Sequence, residues 1–514
     1  MHDRTVLNSR KRPFLSPDFV RAMLAGHSVL GLAFAALIYV VCLSGTLSVF
    51  VQELQRWEQP DGPLVEVTPG ADTIATAVRA GHAQALAENA AHDIYVAGPL
   101  RTPGRFQVHY DDHERGIEGE WLADAEGRLV ARLSAPWSEF IGDLHMHLHL
   151  PRTWGKYLVG LTGVALFSSL ISGLLSHPRI FKDAFSLRWG GSRRLQEADL
   201  HNRLGVWGLP FHVVVTVTGA LLGLSSLIIG VLALAAYDGD RAKAVGVLFG
   251  PGAGADETAA PVPDVGAMIR QIKASAPNEE FTNAFLQHIA TAGQSVQLGM
   301  HTSGQIAFST TYRFTGDGKL LTNPQQADRG PGRWILGALQ PLHFGWFGGL
   351  PVKLLYGLLG LALTIITHSG VAIWLARRRD KGRPTPGWEK TWAVVVWGQP
   401  LAFGATATVA ILSSSGDHLV AIYLTTIAAV AVLAWPMKDA RTTSRTLRLL
   451  SVLALLSAVT VHALVWWGRA GDPMAWYVDL AIVLIVASLA LPLLARAGGR
   501  GHSVANDRAS GGKV

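Results

Sequence analysis

A single cysteine, Cys42, in 514 residues excludes an intramolecular disulfide, a cysteine-ligated zinc and an iron–sulfur cluster held by four cysteines. No CxxCH occurs, so a covalent c-type haem is excluded as well. Charge is scarce: 16% of residues are charged against 49% hydrophobic, and the mean hydropathy is +0.28. That balance is too apolar for a soluble multidomain chain and makes the bilayer the solvent for much of it. The net charge of +7 lies in a few loops. No basic helix with interleaved aromatics exists, so no nucleic-acid partner is expected. No GxGxxG follows a strand and no flavin signature is present, so any electron donor has to be a separate molecule.

Long apolar runs are plentiful. Eight segments approach the ~20 residues that cross a bilayer: roughly 27–50, 155–176, 205–236, 352–375, 393–413, 419–435, 448–467 and 475–495. The first follows Arg4, Arg10, Lys11 and Arg21 and has no small-residue cleavage site after it, so it reads as an anchor and not a cleaved signal. Arg179, Lys182, Arg188, Arg193, Arg194 and Arg203 crowd the connection after the second span. Arg377, Arg378, Arg379, Lys381 and Arg383 follow the fourth, Lys438, Arg441, Arg445 and Arg448 the sixth, and Arg496 and Arg500 the eighth. With positive charge inside, both termini are cytoplasmic and the long stretches 51–150 and 237–350 face outward across a bacterial inner membrane.

The chain then divides into an N-terminus (1–26), span 1 (27–50), an outer domain (51–150), span 2 (151–176) and a basic loop (177–203). Span 3 (204–236), a second outer domain (237–350), span 4 (351–376) and a second basic loop (377–391) repeat that order, before a four-span unit (392–496) and a tail (497–514). Each outer segment opens with an amphipathic helix (TIATAVRAGHAQALAEN; VGAMIRQIKASA), alternates in strand fashion, and has a late Gly-turn hairpin (DAEGRLVARL; TGDGKLLTN). The fold class is therefore a mostly α membrane protein of about eight spans, with two small α+β domains inserted between spans 1 and 2 and between spans 3 and 4. The order "span, α+β domain, His, span" occurring twice marks an internal repeat.

Histidines cluster at the ends of the first four spans. His145, His147 and His149 precede span 2 and His343 precedes span 4; His27, His177 and His201 lie at the opposite face, with His212 and His368 about two turns inside. One such imidazole alone is as readily an interfacial residue as a ligand. Repetition favours a ligand: two helices each offering one neutral imidazole at equal depth can clamp a non-covalent haem b. Gly160, Gly163, Gly173, Gly205, Gly208, Gly219, Gly357, Gly360 and Gly370 would let helices or a flat macrocycle approach, as small residues do in any helix contact.

The segments LHMHLHLPRTWGKYLVGLTG from Leu144, LHNRLGVWGLPFHVVVTVTG from Leu200, PLHFGWFGGLPVKLLYGLLG from Pro341 and SGVAIWLARRR from Ser369, together with His27, resemble the PepSY-associated transmembrane family over the first 380 residues. The resemblance makes the outer segments PepSY-like and extends to siderophore-linked inner-membrane ferric reductases with two b-type haems. It implies His27 and His201 as inner ligands and His145 and His343 as outer ligands. His147 or His149 can replace His145, and His212 and His368 are further candidates, pairing with each other or with His27. The four C-terminal spans exceed the minimal family architecture, and His418 and His462 there read as interfacial packing.

The expected function is electron transfer across the membrane through two haem b groups, from quinol or a cytoplasmic reductase to a ferric siderophore or chelate outside. A non-catalytic regulator that binds a protein partner through its PepSY-type domains is the alternative. A transporter built on the last four spans is third, because no Asp, Glu, Lys or Arg lies well inside their hydrocarbon stretches.

Overall fold

The computed structural model describes residues 15–509 except 91, 100, 113–114, 178–179, 184–192, 250–251, 253, 255, 303–309 and 323–330. Arg4, Arg10, Lys11, Arg179, Arg188 and the end of the tail (510–514) lie outside the described residues. In chain order the first helices are α1 (Pro17–Ala33), α2 (Ala35–Ser48), α3 (Val51–Glu58) and α4 (Ala71–Ala87). Strands β1 (Asp93–Ala97), β2 (Phe106–Asp112), β3 (Ile117–Ala123) and β4 (Leu129–Arg132) follow, then α5 (Pro136–His147) and α6 (Arg152–Ser176). After the short α7 (Ile180–Asp183) come α8 (Arg193–Trp207), α9 (Leu209–Gly223), α10 (Ser225–Ala236), α11 (Arg241–Phe249) and α12 (Val265–Ser275). Strands β5 (Glu279–Gln287), β6 (Ser295–Thr302), β7 (Thr310–Thr315) and β8 (Leu320–Thr322) lead to α13 (Pro331–Phe344) and α14 (Gly349–Asp380). The C-terminal unit is α15 (Pro386–Ser413), α16 (Leu419–Ala434), α17 (Ala440–Trp466) and α18 (Met474–Ala509).

Among the described residues, five helices are long and apolar enough to cross a membrane: α6, α14, α15, α17 and the 474–494 part of α18. The count rises to seven if two bent pairs each make one span. This corrects the even row of eight. The first apolar run falls on α1 and α2, bent by 69° at Phe34, and the third on the end of α8 together with α9 and α10, with α8 and α9 bent by 71° at Gly208. α10 and α16, at 12 and 16 residues, fall short of a crossing length of ~20. Ser16 caps α1 by accepting from the Phe19 amide, with Pro17 in its first turn, so this helix starts ten residues before the expected span.

The bends decide which helices meet. Close backbone contact joins α6 to α9 where Gly160 faces Gly223, and joins α2 to α14 where Gly360 faces Thr46 and Gly357 faces Phe50. Before their bends, α1 lies on α6 (Gly31 facing Ser169) and α8 lies on α14 (His201 facing Gly370). Each bent helix thus crosses from one long partner to the other, giving the two repeats an interlocked four-part bundle.

The two α+β segments join. Strands β1 and β5 pair antiparallel, with Ile94 opposite Leu286 and Ala97 opposite Asn283, making one eight-stranded sheet of order β4-β3-β2-β1-β5-β6-β7-β8. Its alternation puts Ile94, Val96, Phe106, Val108, Leu286, Val296, Leu298 and Phe314 in one core with Ile74 and Val78 of α4 and Met268 and Ile272 of α12. The helix-free face looks at the bundle: Gln107 hydrogen-bonds Gln55 of α3 at 3.4 Å. Glu120 and Glu118 of β3, with Asp143, add to burial in raising the Glu139 carboxyl of α5 to about 7. A buried ion pair, Lys353 Nζ to Glu53 at 2.5 and 2.8 Å, ties α14 to α3 below the sheet.

Candidate cofactor sites

Six of the eight candidate histidines meet in three pairs: His147 and His149, neighbours in the chain, stand 6.1 Å apart, and two further pairs join different helices of the bundle. His145, near the end of α5, and His343, near the end of α13, have ring centroids 6.1 Å apart on the sheet side of the bundle. His27 of α1 and His201 of α8 also stand 6.1 Å apart, toward the other end. Two imidazoles on opposite sides of one metal ion, with metal–nitrogen bonds of ~2 Å, hold their centroids about 6 Å apart. Both pairs fit that spacing.

Hydrogen bonding sets the same tautomer four times. His27 Nδ1 lies 2.7 Å from the Ser169 carbonyl, His145 Nδ1 3.0 Å from that of Val41, and His201 Nδ1 3.0 Å from that of Ile366. His343 Nδ1 lies 3.0 Å from Thr218 Oγ1, and its ring also bonds the Val215 carbonyl. An Nδ1–H held on a carbonyl leaves Nε2 as the bare nitrogen, the arrangement of a metal-bound imidazole.

Each ring rests on a glycine. A Cβ at Gly45 would come 2.5 Å from Cε1 of His145, one at Gly173 3.0 Å from that of His27, one at Gly219 2.9 Å from that of His343, and one at Gly370 3.3 Å from that of His201. Each glycine follows the accepting carbonyl by four residues and is preceded by Ser or Thr: Ser44, Ser172, Thr218 and Ser369. In an α-helix the carbonyl of residue i lies beside residue i+4, so a missing side chain there uncovers it for a bulky donor. Four of the chain's Ser/Thr–Gly dipeptides seat these rings, a role the reading of helix-packing glycines passed over, Gly45 most completely.

The remaining candidates join neither of the two cross-helix pairs. His147 Nδ1 bonds the Leu150 carbonyl at 3.0 Å, and its Nε2 stands 3.0 Å from the Asp143 carboxylate. His149 uses Nε2 on the Phe140 carbonyl at 2.9 Å and stacks on that ring. His368 Nδ1 accepts from Trp392 Nε1 at 3.2 Å, which puts its proton on Nε2, the opposite tautomer to the four paired rings. His212 is fully buried, its ring against Gly208 and directed at the Gly205 and Leu359 carbonyls, and it pairs with no other imidazole. His462, expected at an interface, is instead completely buried.

A cavity of about 380 Å³ opens at the sheet-side pair, lined by His145, His343, Cys42, Thr46, Phe211 and Tyr356 among mostly apolar groups. That size is within the ~300–1,000 Å³ of cofactor pockets. From its glycines Gly163 and Gly360 to the seats of the other pair, Gly173 and Gly370, is ten residues along both α6 and α14. The two sites are thus about 15 Å apart along the helix axes. Among the described residues no group of three or more His, Cys, Asp or Glu is placed to hold a metal ion.

Fold and site together define a multi-pass helical membrane protein whose bundle carries two histidine pairs beneath an antiparallel sheet. Residues 24–377 match the family described as the PepSY-associated TM region, and the chain belongs to that family. It is also similar to the uncharacterized protein PA4219 of Pseudomonas aeruginosa, 32% identical over 235 residues, which is 44% of this chain. The match spans 60% of that relative's length.

Proposed function

We propose that this protein is a haem-b-containing electron-transfer protein of the bacterial inner membrane that reduces a ferric siderophore or other ferric chelate on its sheet side. The observation that carries this reading is the equal 6.1 Å spacing of the two imidazole pairs, each ring with Nδ1 tied down. His145 and His343 would hold one haem, His27 and His201 the other, all through Nε2. Bound in this way, haem b supplies reversible one-electron chemistry. The chain's own part is to fix four ligands in one tautomer, to exclude water with apolar helix faces, and to set two sites in line across the bilayer. Reduction weakens the hard oxygen coordination of ferric iron, so the metal leaves its chelate at the sheet side. Electrons enter from quinol or a separate cytoplasmic reductase at the His27 and His201 end, where the basic connections lie.

Pyridine haemochrome analysis and a reduced-minus-oxidised spectrum of the purified protein test the reading, with two b-type haems per chain expected. Protein made with ample haem that binds none would leave the non-catalytic regulator as the better account. Orientation is tested by labelling a cysteine at Asp317 in a Cys42→Ala background: reaction from the extracytoplasmic side is expected, and protection there would reverse the direction of flow.

A further inference from the structure

We propose that the C-terminal four-helix unit positions His145 of the sheet-side histidine pair, with Asp479 and His462 as positioning residues that act through Trp57. The inference deepens the haem reading and rests on it for the identity of what His145 holds.

The unit grips residues 56–60, the short segment just past the first bent helix. Asp479 of α18 accepts from Trp57 Nε1 at 2.9 Å with one carboxyl oxygen and meets His462 Nδ1 at 2.8 Å with the other. His462 of α17 closes the ring with Nε2 on the Trp57 carbonyl at 2.8 Å, and its imidazole stacks on the indole at 4.8 Å. Side chain and main chain of one tryptophan are therefore both held by two helices of the C-terminal unit. All three residues are buried. Next to them Arg56 makes a two-point ion pair with Asp472 at 2.6 and 2.8 Å, and the amides of Gly471 and Asp472 bond the Pro60 carbonyl.

An acid and an imidazole buried together at this depth are expensive unless every polar atom is paired. Here the pairing is complete. A carbonyl facing Nε2 requires a proton there, so the network holds one further proton shared between Nδ1 and the Asp479 carboxyl. Asp479 lies about one turn inside α18, near the end of the span and not among the positions well inside the hydrocarbon that were expected to lack charge.

From Trp57 the path to His145 is short. The Trp57 ring meets Trp137, the second residue of α5, edge-on at 5.7 Å. The adjoining Glu58 accepts from the amides of Trp137 and Ser138 at 2.7 Å each and from the Ser138 hydroxyl, capping α5. Trp137 Nε1 also donates to Thr406 of α15 at 3.1 Å, and Phe140 lies against Tyr423 of α16. His145 stands two turns further along this 12-residue helix. Hence α5 is braced from three sides, by α3 with its glutamate cap, by α15 and by α16, and the α3 side of the brace ends on Asp479 and His462.

The test uses the full chain in lipid nanodiscs, with Asp479→Leu to break the network, Asp479→Asn as the rescue, and Trp57→Phe as a milder break. Asn can accept from Trp57 and donate to an unprotonated His462 Nδ1. Amide hydrogen exchange should show loss of protection over 136–147 in Asp479→Leu, a smaller loss in Trp57→Phe, and restored protection in Asp479→Asn. Exchange over 331–344, the helix of His343, should stay as in the parent protein. In haem-loaded protein the same two breaking variants should shift the midpoint potential and the low-spin signal of one centre and leave the other unmoved. Unchanged protection over 136–147, equal loss in both helices, or a shift of both centres would overturn the proposal. Parent protein without haem would instead sink the haem reading, and the exchange measurement would still decide the positioning.

Discussion

His145 and His343 lie with their ring planes 20° apart, whereas His27 and His201 are turned 77° from one another at the same 6.1 Å separation. The orientation of two axial imidazoles sets how far the iron d orbitals they overlap are split. Near-parallel planes split them widely and near-perpendicular planes leave them almost degenerate. Low-temperature electron paramagnetic resonance of the oxidised protein should therefore show two low-spin ferric species, a rhombic one from the sheet-side pair and a highly anisotropic one from the other. Two superimposed rhombic spectra would mean that the rings reorient when loaded.

Gly219→Ala should cost the sheet-side site its ligand geometry. The new methyl would sit 2.9 Å from His343 Cε1, against a ring anchored on Thr218. Overpacking of this sort costs about 1–3 kcal/mol, and the ring is the part able to move. Haem per chain should fall from two toward one in pyridine haemochrome assays. Gly205→Ala, where a Cβ meets nothing within 4 Å, should keep both. Equal haem content in the two variants would contradict the glycine-seat geometry.

The sheet should carry a pH signature of its own. His109 stands 3.4 Å from Glu120 and 3.7 Å from Asp111, and the Glu120 carboxylate foremost, with Asp111 and Glu118, raises its pKa above the usual value despite partial burial. A histidine whose folded pKa is raised favours the folded state fully below its unfolded value of about 6.5. That contribution disappears as pH rises through the higher folded value. The melting temperature of the parent protein should exceed that of His109→Gln at pH 6, and the gap should close above the raised pKa. A gap that widens with pH would show that the histidine is neutral in the fold.

Much of this architecture can be read from the chain because apolar length and basic loops are one-dimensional signals. The doubled order of span, α+β segment and histidine comes from position along the sequence, and the choice of His27, His145, His201 and His343 from the family resemblance, with His147, His149, His212 and His368 beside them as alternates. What cannot be read is set by contacts distant in sequence. The bend at Phe34 interrupts an apolar run without breaking its hydropathy, and the bend at Gly208 falls near the start of one. The joining of β1 to β5 needs two segments nearly 190 residues apart to meet edge to edge. His147, His149 and His368 resemble the paired histidines in every local respect. Only their partners Asp143, the Phe140 carbonyl and Trp392 distinguish them.

Separate removal of one imidazole from each pair tests the wire as a whole. His343 meets His145, and His201 meets His27, so if each pair holds a haem as proposed, alanine at 343 and at 201 should each remove a ligand from a different haem and leave the other spectroscopically near normal. His343→Ala should stop electron delivery to a ferric chelate while the centre of His27 and His201 is still reduced by the physiological donor. His201→Ala should block entry from that donor, yet dithionite, which bypasses it, should still reduce the centre of His145 and His343. The pattern depends on order, because a break at the entrance and a break at the exit stop turnover equally but leave opposite halves reducible. Loss of the same signal in both variants would place the two residues at one site and rule out two centres in series.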